Sequence, residues 1–260
     1  MADLPDCIWL GDLSTQALSN FISASEQAVL LWPVGSTEPH GPHLPLATDI
    51  ILSTENAERA ADALRERQIP TLVAPPLPYG VTDFAAGFDG AISIPIDTMV
   101  DFLSAGVSAY LDQGFTHVCL INHHLEPGQL KMLGLVRKGI TENYGPGAIS
   151  YPEVVSRRWG AKLGDEFRSG ACHAGSYEGS LVLAATPELV DMEAAKKLPE
   201  VPISLSSAIK DGQKTFLEAG AEHAYTGRPG EASAQEGESL YEVLTEMVVT
   251  EVMEHLELKS

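Results

Sequence analysis

The segment Pro33-Val-Gly-Ser-Thr-Glu38-Pro-His40-Gly-Pro-His43-Leu-Pro-Leu-Ala-Thr-Asp49 packs one Glu, two His and one Asp into a Gly/Pro loop directly after an apolar run. A second cluster, Asn122-His123-His124-Leu125-Glu126, follows another apolar run. Carboxylate oxygens and imidazole nitrogens are donors that suit Zn²⁺, Mn²⁺ or Fe²⁺. Glu38-x-His40 and His124-x-Glu126 are i, i+2 pairs, which share a side in extended backbone. Pro39, Gly41 and Pro42 narrow the conformations open to the loop. Glu38, His40, Asp49, His124 and Glu126 together exceed what one tetrahedral ion needs. Sharing one carboxylate, Asp49 for preference, divides them between two ions. Two ions about 3.5–4 Å apart hold a hydroxide at neutral pH and polarise a carbonyl, which is hydrolytic chemistry. Any one of these residues alone would read as solvated loop; their joint occurrence points to metal. His43 and His123 read as packing residues or outer partners rather than ligands.

A third cluster is Cys172-His173-Ala-Gly-Ser-Tyr-Glu178. His173, in a loop ahead of a helical pattern, is suited to protonating a leaving nitrogen. Glu178 complements the dipole of that helix, or orients His173 or a metal ligand. Cys172 and His173 are neighbours in sequence, and neighbours on extended backbone point to opposite faces, so they do not read as a dyad.

These loops need a scaffold. Ala28–Val34, Thr71–Ala74, His117–Ile121 and Ala148–Tyr151 are continuous apolar runs that predict buried strands. Ile50–Arg67, Asp97–Gln113 and Gln129–Glu142 carry apolar residues at helical spacing, with Asp97 and Thr98 as caps of the second. Alternating strands and helices predict a mostly parallel sheet covered on both faces, a three-layer α/β/α sandwich. Ligands bind such sheets beyond the carboxyl ends of the strands, where both metal-type clusters fall. Helical patterns return at Glu178–Ala185, Asp191–Lys197 and Glu236–Leu256, while Pro199–Pro229 shows no clear period. The last helix carries Leu240, Val243, Leu244, Met247, Val248, Val252 and Leu256 as a core stripe.

The chain has 260 residues, 16 Lys and Arg, and a net charge of −20. So few cations argue against nucleic acid and anionic membranes as partners. No apolar stretch is long enough to span a bilayer, and the N-terminus lacks a signal-peptide pattern, so a cytoplasmic protein is expected. Three widely spaced cysteines, with no CxxC pair, argue against a disulfide framework or a thiolate zinc site.

The first motif resembles the signature of the creatininase (creatinine amidohydrolase) family, with Pro39 the departure inside its core. The similarity continues at Leu77-Pro-Tyr-Gly80, Phe88–Ser93, Asn122–Glu126, His173–Glu178 and Thr226–Glu231. The resemblance implies a single creatininase-like domain over residues 1–260. It further implies a dinuclear Zn²⁺ or Mn²⁺ centre, hydrolysis of the C–N bond of a small amide, cyclic ones included, and a homo-oligomer, often a hexamer. By matching positions, Glu38, Asp49 and His124 would hold one ion and His40, Asp49 and Glu126 the other, with His173 as general acid/base. Relatives that trim the mycofactocin precursor peptide, or hydrolyse a formamide on a pyrimidine nucleotide, are alternatives within the family. The nucleotide reading would use Arg157, Arg158 or Arg228. A catalytically silent metal-binding scaffold is the alternative from another class. Departures bear on substrate: His123 replaces a glycine, Phe88-Asp-Gly-Ala91 departs from the usual FPGT, and Ser150-Tyr-Pro-Glu153 lacks the lid tryptophan of the family's namesake. Trp159 is the nearest replacement, and creatinine itself is a poor fit.

Overall fold

The computed structural model describes residues 7–257. Four strands, β1 (Val29–Val34), β2 (Thr71–Val73), β3 (His117–Asn122) and β4 (Ile149–Ser150), form a parallel sheet in the order β2-β1-β3-β4. Helix α1 (Thr15–Ala24) precedes the sheet. The crossovers carry α2 (Thr48–Glu66), α3 (Ile96–Asp112) and α4 (Pro127–Tyr144). After β4 come α5 (Arg157–Gly160), α6 (Gly164–Ser169), α7 (Ser176–Ala185), α8 (Met192–Ala195), α9 (Leu205–Lys210), α10 (Phe216–Ala219) and the closing α11 (Ala234–Glu257).

The strands are apolar throughout because both faces of the sheet are covered. Along β1, Val29 and Leu31 face a core shared with α2, α7 and α11, whereas Leu30, Trp32 and Val34 face a core shared with α1, α3 and α4. The result is an α/β/α sandwich, as expected. Each fully buried leucine in these cores, such as Leu30, Leu64 or Leu244, contributes about 1.5–3 kcal/mol through burial. The α11 stripe is buried at Leu240, Leu244, Met247, Val248, Val252 and Leu256, which clamps this helix over α2 and α7.

The strand order positions the site. From β1 the chain moves to β2 on one side and then returns across β1 to β3 on the other. The connections therefore diverge between β1 and β3, and the gap beyond their carboxyl ends is left open. The loops leaving those two strands carry Glu38 and His40, and His124 and Glu126.

Three expectations need correcting. Helix α3 starts at Ile96 with Pro95 at the cap position and no side-chain cap, so Asp97 and Thr98 lie inside the first turn. Asp97 there can favour the helix dipole but cannot cap. The helix expected over Asp191–Lys197 is only Met192–Ala195, with Asp191 as its cap, accepting from the Ala194 N–H at 2.9 Å. Trp159 is no lid: it is 3% exposed and donates through Nε1 to Glu251 at 3.1 Å.

Candidate metal centre

Glu38, His40, Asp49, His124, His173 and Glu178 converge in the gap beyond β1 and β3, and each is at least nine-tenths buried. Local structure explains their aim. Gly41 adopts φ of +65°, and a Cβ there would meet His43 Nδ1 at 2.9 Å, so only glycine makes this turn. Asp49 lies in the first turn of α2, where the dipole favours a carboxylate. Each central histidine is oriented by a backbone carbonyl. His40 Nδ1 faces Glu38 O at 3.1 Å, His124 Nε2 faces Val81 O at 2.7 Å, and His173 Nε2 faces Pro39 O at 3.0 Å. Such bonds leave the opposite nitrogen as the one turned to the carboxylates.

The two oxygens of Asp49 serve different histidines. Oδ1 lies 3.4 Å from His40 Nε2, and Oδ2 lies 3.1 Å from His124 Nδ1. Glu38 Oε1 stands 3.2 Å from His124 Nδ1, and Glu178 Oε2 stands 3.5 Å from His40 Nε2. Donor atoms around one tetrahedral ion with bonds near 2.1 Å are about 3.4 Å apart, so these separations fit ligation. Glu38 Oε2 is buried without a hydrogen-bond partner, and His40 Nε2 and Asp49 Oδ2 have none outside the imidazole–carboxylate contacts of the site itself. Carboxylates and imidazoles buried in this way are costly unless a cation compensates them. The donor set thus fits divalent ions.

Electrostatics agree. Desolvation alone would lower His40, but Asp49, Glu178 and Glu38 raise it to about 10. His124 is likewise raised, against desolvation, by Glu38 and Asp49. Asp49 is held low, despite desolvation, by His124 and His40. Burial, with the charges of Asp49 and Glu38, pushes Glu178 up. The site attracts positive charge, and in the metal-free protein protons on the two histidines supply it.

Among the expected residues, the set His40, Asp49 and Glu126 is not brought together. Glu178 stands third beside His40 and Asp49, whereas Glu126 groups with Glu38 and His124. The Glu126 carboxylate accepts from the Asp83 and Phe84 N–H groups at 3.0 and 3.1 Å, and lies 3.8 Å from His124 Nε2. Burial pushes it up to about 7. His173 turns Nδ1 towards Glu38 and Glu178, at 3.8 and 4.0 Å. Desolvation, reinforced by His40, lowers it to about 4. His123 points away, its Nε2 accepting from Asn56 on α2 at 3.1 Å, and burial keeps it neutral, near 4. His43 packs edge-on against Tyr225 and is also lowered by burial to about 4. Desolvation holds the Cys172 thiol up, to about 12, which removes it as a nucleophile.

Two contributors were not legible in the sequence. Glu166 on α6 accepts from the Tyr177 N–H and the Arg228 N–H, both at 2.8 Å, and so ties the start of α7 to the loop after Thr226. That loop pairs with His173, since Thr226 N–H donates to His173 O at 2.8 Å. Phe216 on α10 stacks on the His173 ring at 4.3 Å and meets Phe84 edge-on at 5.0 Å. The only sequence signal for the first was glycine at 175 and 227, where a Cβ would strike the Glu166 carboxylate. For the second there was none.

An α/β/α protein with histidines and carboxylates buried at the switch point of its sheet is the class that fold and site define. The chain matches the family Creatininase: Creatinine amidohydrolase over residues 12–252, and it belongs to that family of hydrolases. It is 30% identical over 253 residues to the mycofactocin precursor peptide peptidase of Mycobacterium ulcerans, covering 94% of this chain and 91% of that protein. It is 26% identical over 201 residues to the creatinine amidohydrolase of Pseudomonas putida, covering 72% and 75%. A Zn–Zn form of a creatininase variant shares the fold with a TM-score of 0.73 at 21% identity, covering 98% of this chain and 100% of the other.

Proposed function

We propose that this chain is a dinuclear metal-dependent amide hydrolase in which Glu38, Asp49 and His124 hold one ion and His40, Asp49 and Glu178 the other. One observation carries the reading: Asp49 turns one oxygen to His40 and the other to His124, as a bridging carboxylate must. Two zinc or manganese ions there would supply Lewis acidity towards an amide carbonyl and lower the pKa of water.

The protein's own residues do the rest. His173, anchored through Nε2 on Pro39 O, keeps Nδ1 over the carboxylates and takes up a proton to pass to the leaving nitrogen. Glu178 has two duties: its Oε2 faces His40 and also accepts from the Ala174 N–H at 2.7 Å, which fixes the loop carrying His173. Ala174 sits at φ of +51°, a strained conformation for a residue with a Cβ, and this bond helps to hold it. Glu126 acts as a positioning partner of His124 from the cleft side. The single-domain organisation of residues 1–260 and a homo-oligomeric, family-like assembly belong to the same proposal.

The test is metal stoichiometry of the purified protein, paired with hydrolysis of creatinine, cyclic imides, formamides and short peptides. Two equivalents of metal with turnover of one class supports the reading. Two equivalents without turnover of any class would favour the silent scaffold. A peptidase is the second reading, favoured by 30% identity to a peptide peptidase over 94% of the chain.

A further inference from the structure

The cleft above the six converging residues encloses about 640 Å³, its open mouth included. Its floor is acidic, with Glu38, Asp49, Glu126 and Glu178 accompanied by His124 and His173. Its walls are of another character: Phe84, Leu125, Val155, Leu205, Ile209 and Phe216. Phe84, Leu205 and Phe216 are buried, Leu125 and Ile209 are half-buried, and Val155 is exposed. Phe84, Leu205 and Phe216 belong to a small core of their own, with Ala85, Ala221 and Ala224, separate from the two cores beside the sheet. The Phe84–Phe216 and Phe216–His173 ring contacts fix the wall relative to His173.

Charge narrows what the cleft takes. Among the described residues that line it there is no Lys or Arg. Arg158 pairs with Glu254 at 2.8 Å and Glu251 at 3.7 Å, and Arg228 pairs with Glu231 at 3.0 Å. A charged substrate group seated against the apolar wall would therefore be desolvated with no side-chain cation beside it. Apolar surface entering the cleft instead gains free energy by leaving water.

We infer that the wall built by α9 and α10 with Phe84 is a subsite for an uncharged apolar group, aromatic or branched aliphatic, next to the scissile amide. The inference rests on the amide-hydrolase reading, names the substrate class within it, and disfavours a nucleotide substrate. Ile209 lines the cleft and belongs to none of the metal-type groups, so a change there tests recognition apart from ligation.

The experiment uses the full chain and a matched series of blocked dipeptide amides, differing only in leucyl, phenylalanyl, glycyl or aspartyl beside the scissile bond. Turnover is measured on zinc-loaded protein, and binding of the same compounds by calorimetry on protein without added metal. Leucyl and phenylalanyl compounds should exceed the glycyl one at least tenfold in kcat/KM and in affinity, with the aspartyl compound weakest. Ile209→Asp should erase that ratio in both measurements, and Ile209→Ala should reduce it in a variant with no new charge. Turnover without preference for an apolar flank overturns the subsite and leaves the hydrolase standing. Selective binding lost in the Ile209 variants, with no turnover of any compound, keeps the subsite and overturns hydrolysis of peptide-type amides. Equal binding of glycyl and apolar compounds overturns the subsite whatever the turnover.

Discussion

Asp49 and Glu178 are the residues on which the metal assignment turns. If Asp49 is shared, Asp49→Ala should release both ions, measured as metal per chain after gel filtration. Glu178→Gln should release one, because His40 and Asp49 are left without their third donor. Glu126→Gln should retain two, since its oxygens are engaged by the Asp83 and Phe84 N–H groups. The reverse result for these last two would restore the assignment implied by family resemblance. His173→Ala should lower kcat about 10²–10⁴-fold with metal content unchanged, the range for losing a general acid/base. Activity near that of the parent would remove His173 from the mechanism. Most of these proposed donors were visible in the sequence, because each sits in a short motif on a loop or in the first turn of a helix. Which donors meet was not, because Glu178 reaches His40 only through the packing of α7 beside α2.

At the scale of elements, the His173 loop depends on α6. Glu166 joins two backbone N–H groups from distant segments, and burial raises its pKa. Glu166→Ala would orphan both donors, at a cost of about 1–3 kcal/mol each. Thermal unfolding should move down accordingly, and kcat should fall while metal content holds. If the loss runs through His173, Glu166→Ala added to His173→Ala should lower kcat little further, a double-mutant cycle that a purely global destabilisation would not produce. Gly175→Ala should mimic the effect, since its Cβ would press on Thr226 O at 2.7 Å as well as on Glu166. The strands were legible as continuous apolar runs because both faces of the sheet are covered, and the long helices because burial on one side imposes a period on sequence. The short helices α9 and α10 were not, because a four- or six-residue helix shows too little of a period to register.

The whole molecule has to stabilise a buried acidic centre, and its response to pH should reveal how. Without metal, His40 has its pKa raised from 6.5 to about 10, and His124 is raised as well. Stability from these protonated histidines is fully present below pH 6.5 and is lost as pH rises towards 10. The melting temperature of chelator-treated protein should therefore fall across that window. Zinc should raise it and flatten its pH dependence, since ion binding to the folded state replaces the protons. A metal-free protein with no such fall would mean that the carboxylates are not stabilised by the histidines. The described residues contain no helix long and apolar enough to cross a membrane, in line with the hydropathy pattern. By itself, the sequence determined the layers and the family and pointed to nearly all the proposed donors, since apolar runs, helical period and short ligand motifs are local properties of the chain. Tertiary structure alone decided that Glu178 stands beside His40, that Glu166 braces the His173 loop, and that Phe84 and Phe216 wall the cleft. Those contacts join residues far apart in the chain, and packing, not local pattern, sets which side chains meet.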